Sequence, residues 1–326
     1  MMSLRFTRRA ALCGSLSLLA CAGAVAQPAA YPSKPITIVV GYPPGGSTDL
    51  TGRTLAAELS RKLGVPVIID NVGGAGGVIG AQKVVNAAPD GYTLLVGASN
   101  EIAISRLVSS AVKYDLKDFT PVGLIASQPM VLVASPKSGI RTVEQFIGAV
   151  KSNPGKYSYG SSGVGTALHL AGEMVKDQGG LFMTHIPYRG VAPLANDLLG
   201  NNIEFGLFVL SSGLPHIRSG KVFALGTTEA KRSAMTADIP ALAENPKLKG
   251  LDINIWFALM GPAHLPEPVV AKLRKALNES LQTPELRKRL EDSGSTVSPL
   301  NVDMPKFLGQ ETAKYKRIVE FAKIKE

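Results

Sequence analysis

Cysteine is almost missing from this chain of 326 residues, and its two copies, Cys13 and Cys21, both stand close to the N-terminus. Past them there is no thiol for a disulfide, for covalent catalysis or for a cysteine-based metal site. Histidine is nearly as scarce: His169, His185, His216 and His264 are spread without metal-ligand spacing. Aromatic residues make up 6% of the chain, with one tryptophan, and no basic tract is interleaved with them. The formal charge of +10 therefore does not suggest a nucleic-acid surface. Beyond the first 26 residues no apolar run is long enough to span a membrane. Low-complexity stretches are lacking too, since the 34 glycines and 22 prolines are scattered among strand-like and helix-like segments.

What is present at the N-terminus reads as an export signal. Arg5, Arg8 and Arg9 precede an apolar run over residues 10–20, and Ala24-Val25-Ala26 makes a small-x-small cleavage site before Gln27. Residues 1–26 are thus expected to be removed, which takes away both cysteines. Three arginines and no acid leave with them, lowering the formal charge from +10 to +7. Arg8-Arg9 is a loose match to a twin-arginine signal, and ordinary secretion fits equally. Leu18-Leu19-Ala20-Cys21 weakly resembles a lipoprotein box, which would lipidate Cys21, but the site at Ala26 is better formed. About 300 residues remain, enough for two domains.

In the remainder, β-branched runs alternate with amphipathic segments, a pattern that predicts an α/β fold with largely parallel sheets. The first unit sets the theme. A strand over 36–40 enters the loop Gly41-Tyr42-Pro43-Pro44-Gly45-Gly46, and a helix over about 48–63 follows, with Leu55, Leu59 and Leu63 on one face and Gly64 as its stop. A helix N-terminus carries unpaired N–H donors and partial positive charge, so this loop suits an anion; an ordinary strand–helix connection has the same features. The next unit repeats it with Gly73-Gly74-Ala75-Gly76-Gly77-Val78-Ile79-Gly80. That loop lacks the Lys-Ser/Thr ending of a P-loop and misplaces the third glycine of a dinucleotide fingerprint, which disfavours a nucleotide. Two such loops in successive units fall at the same sheet edge, where open α/β sheets collect ligands. Ser99 and Asn100 end a third strand over 92–97 and fit either a ligand contact or a helix cap.

Two strands are predicted at 122–126 and 130–134, with a crossing into a second domain near Gln128. Thr142-Val143-Glu144-Gln145 reads as a capping box. A short strand over 157–160 then leads into Ser161-Ser162-Gly163-Val164-Gly165-Thr166 and a helix over 167–177, the opening theme again. Val164 stands where a Gly-x-Ser-x-Gly nucleophile elbow needs its last glycine. A strand and turn are expected over 184–190, further strands at 203–209, 222–226 and 253–260, and helices up to 199, over 268–281, after Pro284 and over 303–324.

These segments, in this order, resemble the Bug (Bordetella uptake gene) receptors of tripartite tricarboxylate transporters. The resemblance rests on residues 42–49 with Arg53, 71–80, Pro89-Asp90-Gly91-Tyr92, Tyr159-Gly160-Ser161-Ser162-Gly163, His169-Leu170-Ala171-Gly172-Glu173, Pro187-Tyr188-Arg189-Gly190, and Trp256 before Gly261-Pro262-Ala263. It covers essentially the whole mature chain. Gly73 departs from it, standing where the family commonly has proline. The resemblance implies a two-lobed, type II periplasmic binding-protein fold, each lobe a mostly parallel sheet flanked by helices. Residues 27–127 with 254–326 would form one lobe and 128–253 the other.

The ligand implied is a small organic anion (a di- or tricarboxylate, an aromatic acid or an acidic amino acid) held in the cleft. Tyr42, Gly45, Gly46, Ser47, Thr48 and Asp49, with Gly76 and Gly77, would face its carboxylate. Ser99, Asn100, Gly163, Val164, Gly165 and Thr166 would meet the rest. For Asp49 a cap or loop-orienting role beside Arg53 is favoured over ligand contact, and for His169 a structural hydrogen bond is. Arg189 is the candidate cation for a second carboxylate or, alternatively, a structural tie in its turn. A β-branched residue at Gly46 is expected to abolish binding and spare the fold.

The partners implied are the large and small membrane subunits of a transporter, with the receptor itself a periplasmic monomer. A sensor partner using the same pocket is the alternative. A hydrolase or transferase is disfavoured, because nucleophile elbow, His–carboxylate spacing and metal cluster are all missing. No cofactor or metal is expected.

Overall fold

A computed structural model describes residues 31–233 and 236–325, so the leader, its cleavage site, Cys13 and Cys21 lie outside the described residues. Residues 34–326 form one compact unit, and every element below belongs to it. It starts with β1 (Ile36–Val40), α1 (Ser47–Leu63), β2 (Val67–Asn71), α2 (Val78–Val85), β3 (Thr93–Ala98) and the short α3 (Ser105–Val108). Then come β4 (Phe119–Ala134), α4 (Val143–Ser152), β5 (Ser158–Ser161), α5 (Ala167–Gly179), β6 (Thr184–Pro187), α6 (Val191–Leu199), β7 (Phe205–Val209), α7 (Leu210–Arg218) and β8 (Phe223–Thr227). The chain finishes with β9 (Asn254–Pro262), α8 (Glu267–Leu281), α9 (Pro284–Asp292), β10 (Thr296–Val297) and α10 (Met304–Phe321).

The strands hydrogen-bond in the order β2-β1-β3-β9-β4-β7-β5-β6, with β8 and β10 also on β4. Parallel pairing holds within β2-β1-β3 and within β7-β5-β6, where each strand feeds a crossover helix. The pairs made by β4 and β9 are antiparallel. β1 is covered on both faces: Ile36, Ile38, Val39 and Val40 are fully buried, as a continuous apolar run requires. α1 turns Leu55 and Leu59 inward and stops at Gly64, whose φ of 72° lets its N–H reach the Ser60 carbonyl at 3.0 Å.

Where two strands are expected at 122–126 and 130–134, a single strand of 16 residues runs through both. It pairs with β9 as far as Pro129↔Asn254, then takes β7 and β8 as partners from Met130 and Val131 onward. Pro129 thus falls where one ladder gives way to the next, and register shifts follow Pro121, so neither proline interrupts the strand. Residues 210–218 carry no sequence expectation. They form α7, which follows β7 without a loop and holds Pro215 inside it. Trp256 is core: its ring packs edge-on against Phe307 at 5.3 Å and its indole N–H donates to Glu311 Oε2 at 3.0 Å.

Candidate ligand-binding site

The loop between β1 and α1 is built around one carboxylate. Asp49 Oδ2 accepts from the Gly45 N–H and from Arg53 Nε, both at 2.9 Å, and its Oδ1 accepts from Asn71 Nδ2 at 2.9 Å. Asn71 in turn accepts from the Arg53 guanidinium at 2.9 Å and donates to the Tyr42 carbonyl at 3.0 Å. Burial pushes the Asp49 carboxyl up, but the hydrogen bonds from Arg53, Gly45 and Asn71 outweigh it and hold the group below its ordinary range. Asp49 therefore ties the first glycine loop to the start of the second, with only 3% of its surface exposed. Gly45 needs its φ of +90°, whereas Gly46 has an ordinary φ of −80° and open space around a would-be Cβ.

The two loops meet glycine on glycine. A Cβ on Gly41 would lie 2.7 Å from Gly77 Cα, and one on Gly80 would lie 2.7 Å from Gly41 Cα. Gly77, at φ +97°, also backs onto Glu101, whose Oε2 would be 2.8 Å from an added Cβ. Glu101 is the second residue of the wide turn Asn100–Ile104 and is fully buried. Its Oε1 accepts from the Ala98 N–H at 2.7 Å, and its own carbonyl accepts from the Tyr114 hydroxyl at 2.7 Å. The Tyr42 hydroxyl sits 2.6 Å from Glu101 Oε2, 2.8 Å from the Gly76 carbonyl oxygen and 3.3 Å from Asn100 Nδ2. Burial pushes the Glu101 carboxyl up to about 7. Sequence reasoning missed this residue, because a glutamate after a strand reads as a solvated group. The one available signal is its place between Asn100 and the apolar Ile102-Ala103-Ile104.

The third loop faces the other two from the far side. Thr166 caps α5, accepting from the His169 N–H at 3.4 Å and donating to the Gly163 carbonyl at 2.9 Å. The Gly165 N–H donates to His169 Nδ1 at 3.0 Å. Behind the loop the His169 and His185 rings stack at 3.7 Å between centroids, and Ser161 Oγ lies 2.7 Å from His185 Nε2. Burial pushes His169 down to about 4 and His185 to about 3, so both are neutral rings. Asn100 Oδ1 accepts from the Ala167 N–H at 2.8 Å, joining the turn after β3 to the first residue of α5.

Between these loops lies a cavity of about 380 Å³. Gly76, Asn100, Gly163, Val164, Gly165 and Thr166 line it, together with Ala75, Val78, Ser162 and five positions from a segment the sequence did not suggest: Ser105, Val108, Ser109, Ala111 and Val112. None of its lining side chains is charged. The Val164 N–H has no hydrogen-bond partner among the described residues, nor does that of Leu168 in the first turn of α5. The Val164 N–H, on the cavity lining, can serve an anion.

The remaining candidates stand outside the cavity. Tyr42 lies behind Gly76, while Gly45, Gly46 and Ser47 sit at the surface of the first loop. Thr48 and Asp49 are buried, Gly77 covers Glu101, and Ser99 is buried against the Tyr315 hydroxyl. Arg189 is exposed and has no hydrogen-bond or ion-pair partner among the described residues. Ser161 and His185 pair too deeply for a nucleophile and its base: Ser161 is fully buried. Among the described residues no group of three or more His, Cys, Asp or Glu side chains could hold a metal ion.

The profile of the tripartite tricarboxylate transporter family receptors matches residues 51–324. The chain belongs to this family. The receptor is also similar to three solved structures. The periplasmic binding protein BugD is 32% identical over 90% of this chain and 99% of BugD, with a TM-score of 0.82. A Rhodopseudomonas palustris protein solved with adipate is 30% identical over 90% of this chain and 99% of its own, with a TM-score of 0.85. MatC from the same organism, with bound malate, is 28% identical over 89% of this chain and 100% of MatC, with a TM-score of 0.80. The receptor has the two-lobed fold of these binding proteins and is not an enzyme. No described helix is long and apolar enough to cross a membrane.

Proposed function

We propose that this receptor captures a small organic carboxylate in the cavity of about 380 Å³ and presents it to the large and small membrane subunits of a transporter. The observation that carries the reading is the neutral lining with the free Val164 N–H in the loop just before α5. It offers a carboxylate convergent dipoles in place of a counter-charge. Two of its structural relatives, solved with adipate and with malate, support the same ligand class. Asn100, Gly76, Gly163, Val164, Gly165 and Thr166 touch the ligand. The Asp49 network positions the second loop, and Arg189 meets a ligand's second carboxylate only if its turn moves toward the cavity.

The lobe boundaries belong to the same reading: residues 27–127 with 254–326, and residues 128–253. β4 exchanges partners after Pro129, and β9 begins at Asn254, which supports hinges at those two places. The family context and the leader-like residues 1–26 support export to the periplasm.

Thermal-shift measurements with succinate, malate, citrate, adipate, benzoate, aspartate and glutamate test the ligand class. At least one acid is expected to raise Tm by several degrees at millimolar concentration without being consumed. No shift with any of them, or a product in the mixture, ends the proposal.

A further inference from the structure

One hydrogen is missing from the site as ordinarily ionised. The Tyr42 hydroxyl carries a single hydrogen, yet it stands 2.6 Å from Glu101 Oε2 and 2.8 Å from the Gly76 carbonyl oxygen. Both distances are hydrogen-bonding distances, and neither neighbour has a hydrogen of its own if Glu101 is a carboxylate. The third neighbour, Asn100 Nδ2 at 3.3 Å, is a donor and fills one Tyr42 lone pair. A proton on Glu101 Oε2 completes the count. Glu101 then donates to Tyr42 Oη, and Tyr42 donates to Gly76. Tyr42 thereby makes one donation and accepts two, the full complement of a phenol. Glu101 Oε1 remains free to accept from the Ala98 N–H at 2.7 Å.

We propose that Glu101 is a neutral acid with its proton on Oε2, and that anion capture beside Gly76 and Asn100 is coupled to that proton. The coupling rests on the carboxylate reading above; the protonation does not. Burial supports it by pushing the carboxyl up to about 7. The groups around it supply no counter-charge. Tyr42 and Tyr114 face the carboxyl and the carbonyl of Glu101. On α10, Glu311 is bonded to Trp256, Tyr315 and Lys314. Arg106 on α3 pairs with Asp115, and Lys83 on α2 with Asp70.

The proton explains how an anion is accepted with no cation in the lining: the nearby acid does not repel it. The sign of the linkage follows. While the free protein still holds the proton, affinity is flat with pH. Above the midpoint of Glu101, binding must take up one proton, and affinity falls with rising pH by at most tenfold per unit. It levels once the complex also loses the proton. A full charge roughly 7 Å away across an effective dielectric of about 20 makes the total loss on the order of fiftyfold.

Two measurements test this on the purified protein. In the first, carboxyl-¹³C-labelled glutamate is followed by NMR without ligand, with Glu101 assigned by its loss in Glu101→Gln. A midpoint near neutrality is expected, and one near 4.5 overturns the protonation. In the second, isothermal titration with succinate, malate and adipate is run at pH 6 and 8.5 in buffers of different ionisation heat. The wild type is expected to weaken at least tenfold at the higher pH, with proton uptake. Glu101→Gln, whose amide donates to Tyr42 as the acid does, is expected to show neither. Wild-type affinity that is flat with pH overturns the coupling. If none of the three acids binds even at pH 6, the carboxylate reading fails with the coupling, and the NMR midpoint alone decides the proton.

Discussion

Glycines do two separate jobs around the cavity, and single substitutions separate them. Gly165 has a φ of +66°, and a Cβ there would lie 2.6 Å from Val108 across the cavity. Gly165→Ala is therefore expected to weaken carboxylate binding at least tenfold, as titration calorimetry reads it, with Tm falling by a few degrees from the strained backbone. Gly46 has neither constraint. Gly46→Val is expected to hold Tm within about 2 °C and to bind within threefold. A tenfold loss there instead would put the start of α1 on the ligand, where the sequence alone places it. The reason the sequence points to Gly46 is sound as far as it goes: a double glycine before a helix does present N–H groups. Which loops converge on a cavity depends on registers no local pattern contains. Ser105, Val108 and Val112 line it from a segment whose spacing carries no ligand signal.

At the scale of elements, much of the fold was legible. β1, α1 and its Gly64 stop, the third strand, and the Val269, Leu273 and Leu277 stripe of α8 all follow from short-range pattern, because burial on one face fixes the period. The pattern fell short around the prolines of β4 and α7. Two strands with a crossing near Gln128 are expected where one strand runs through Pro129 at an exchange of partners, and α7, with Pro215 inside it, has no sequence expectation at all. α5 offers a prediction of its own. His169 Nδ1 accepts the Gly165 N–H, so it must stay unprotonated, and His169 and His185 are held down to about 4 and about 3. A histidine depressed in the folded state adds stability above its unfolded value of about 6.5 and loses it as pH falls through the folded value. Urea midpoints are expected to drop steadily from pH 6.5 to 4. His169→Gln is expected to flatten part of that slope; an unchanged slope would show that acid sensitivity arises elsewhere.

The whole molecule carries two further consequences. Export with cleavage after Ala26 predicts that mass spectrometry of the secreted protein finds Gln27 at its N-terminus; a lipid on Cys21 would show instead as retention in the detergent phase. The other consequence lies in the strand order. β9, from residues 254–262, is hydrogen-bonded between β3 and β4, which end 120 residues or more earlier in the chain. A growing chain holding every residue up to β8 still has two unpaired strand edges at the centre of its first sheet. Those edges close only when nearly four-fifths of the polypeptide has emerged. Stable folding must therefore wait until late in synthesis, and pairing over such separations is slow. Where export threads an unfolded chain through a membrane, that delay is an asset: a central strand that arrives so late keeps the chain translocation-competent until it has crossed.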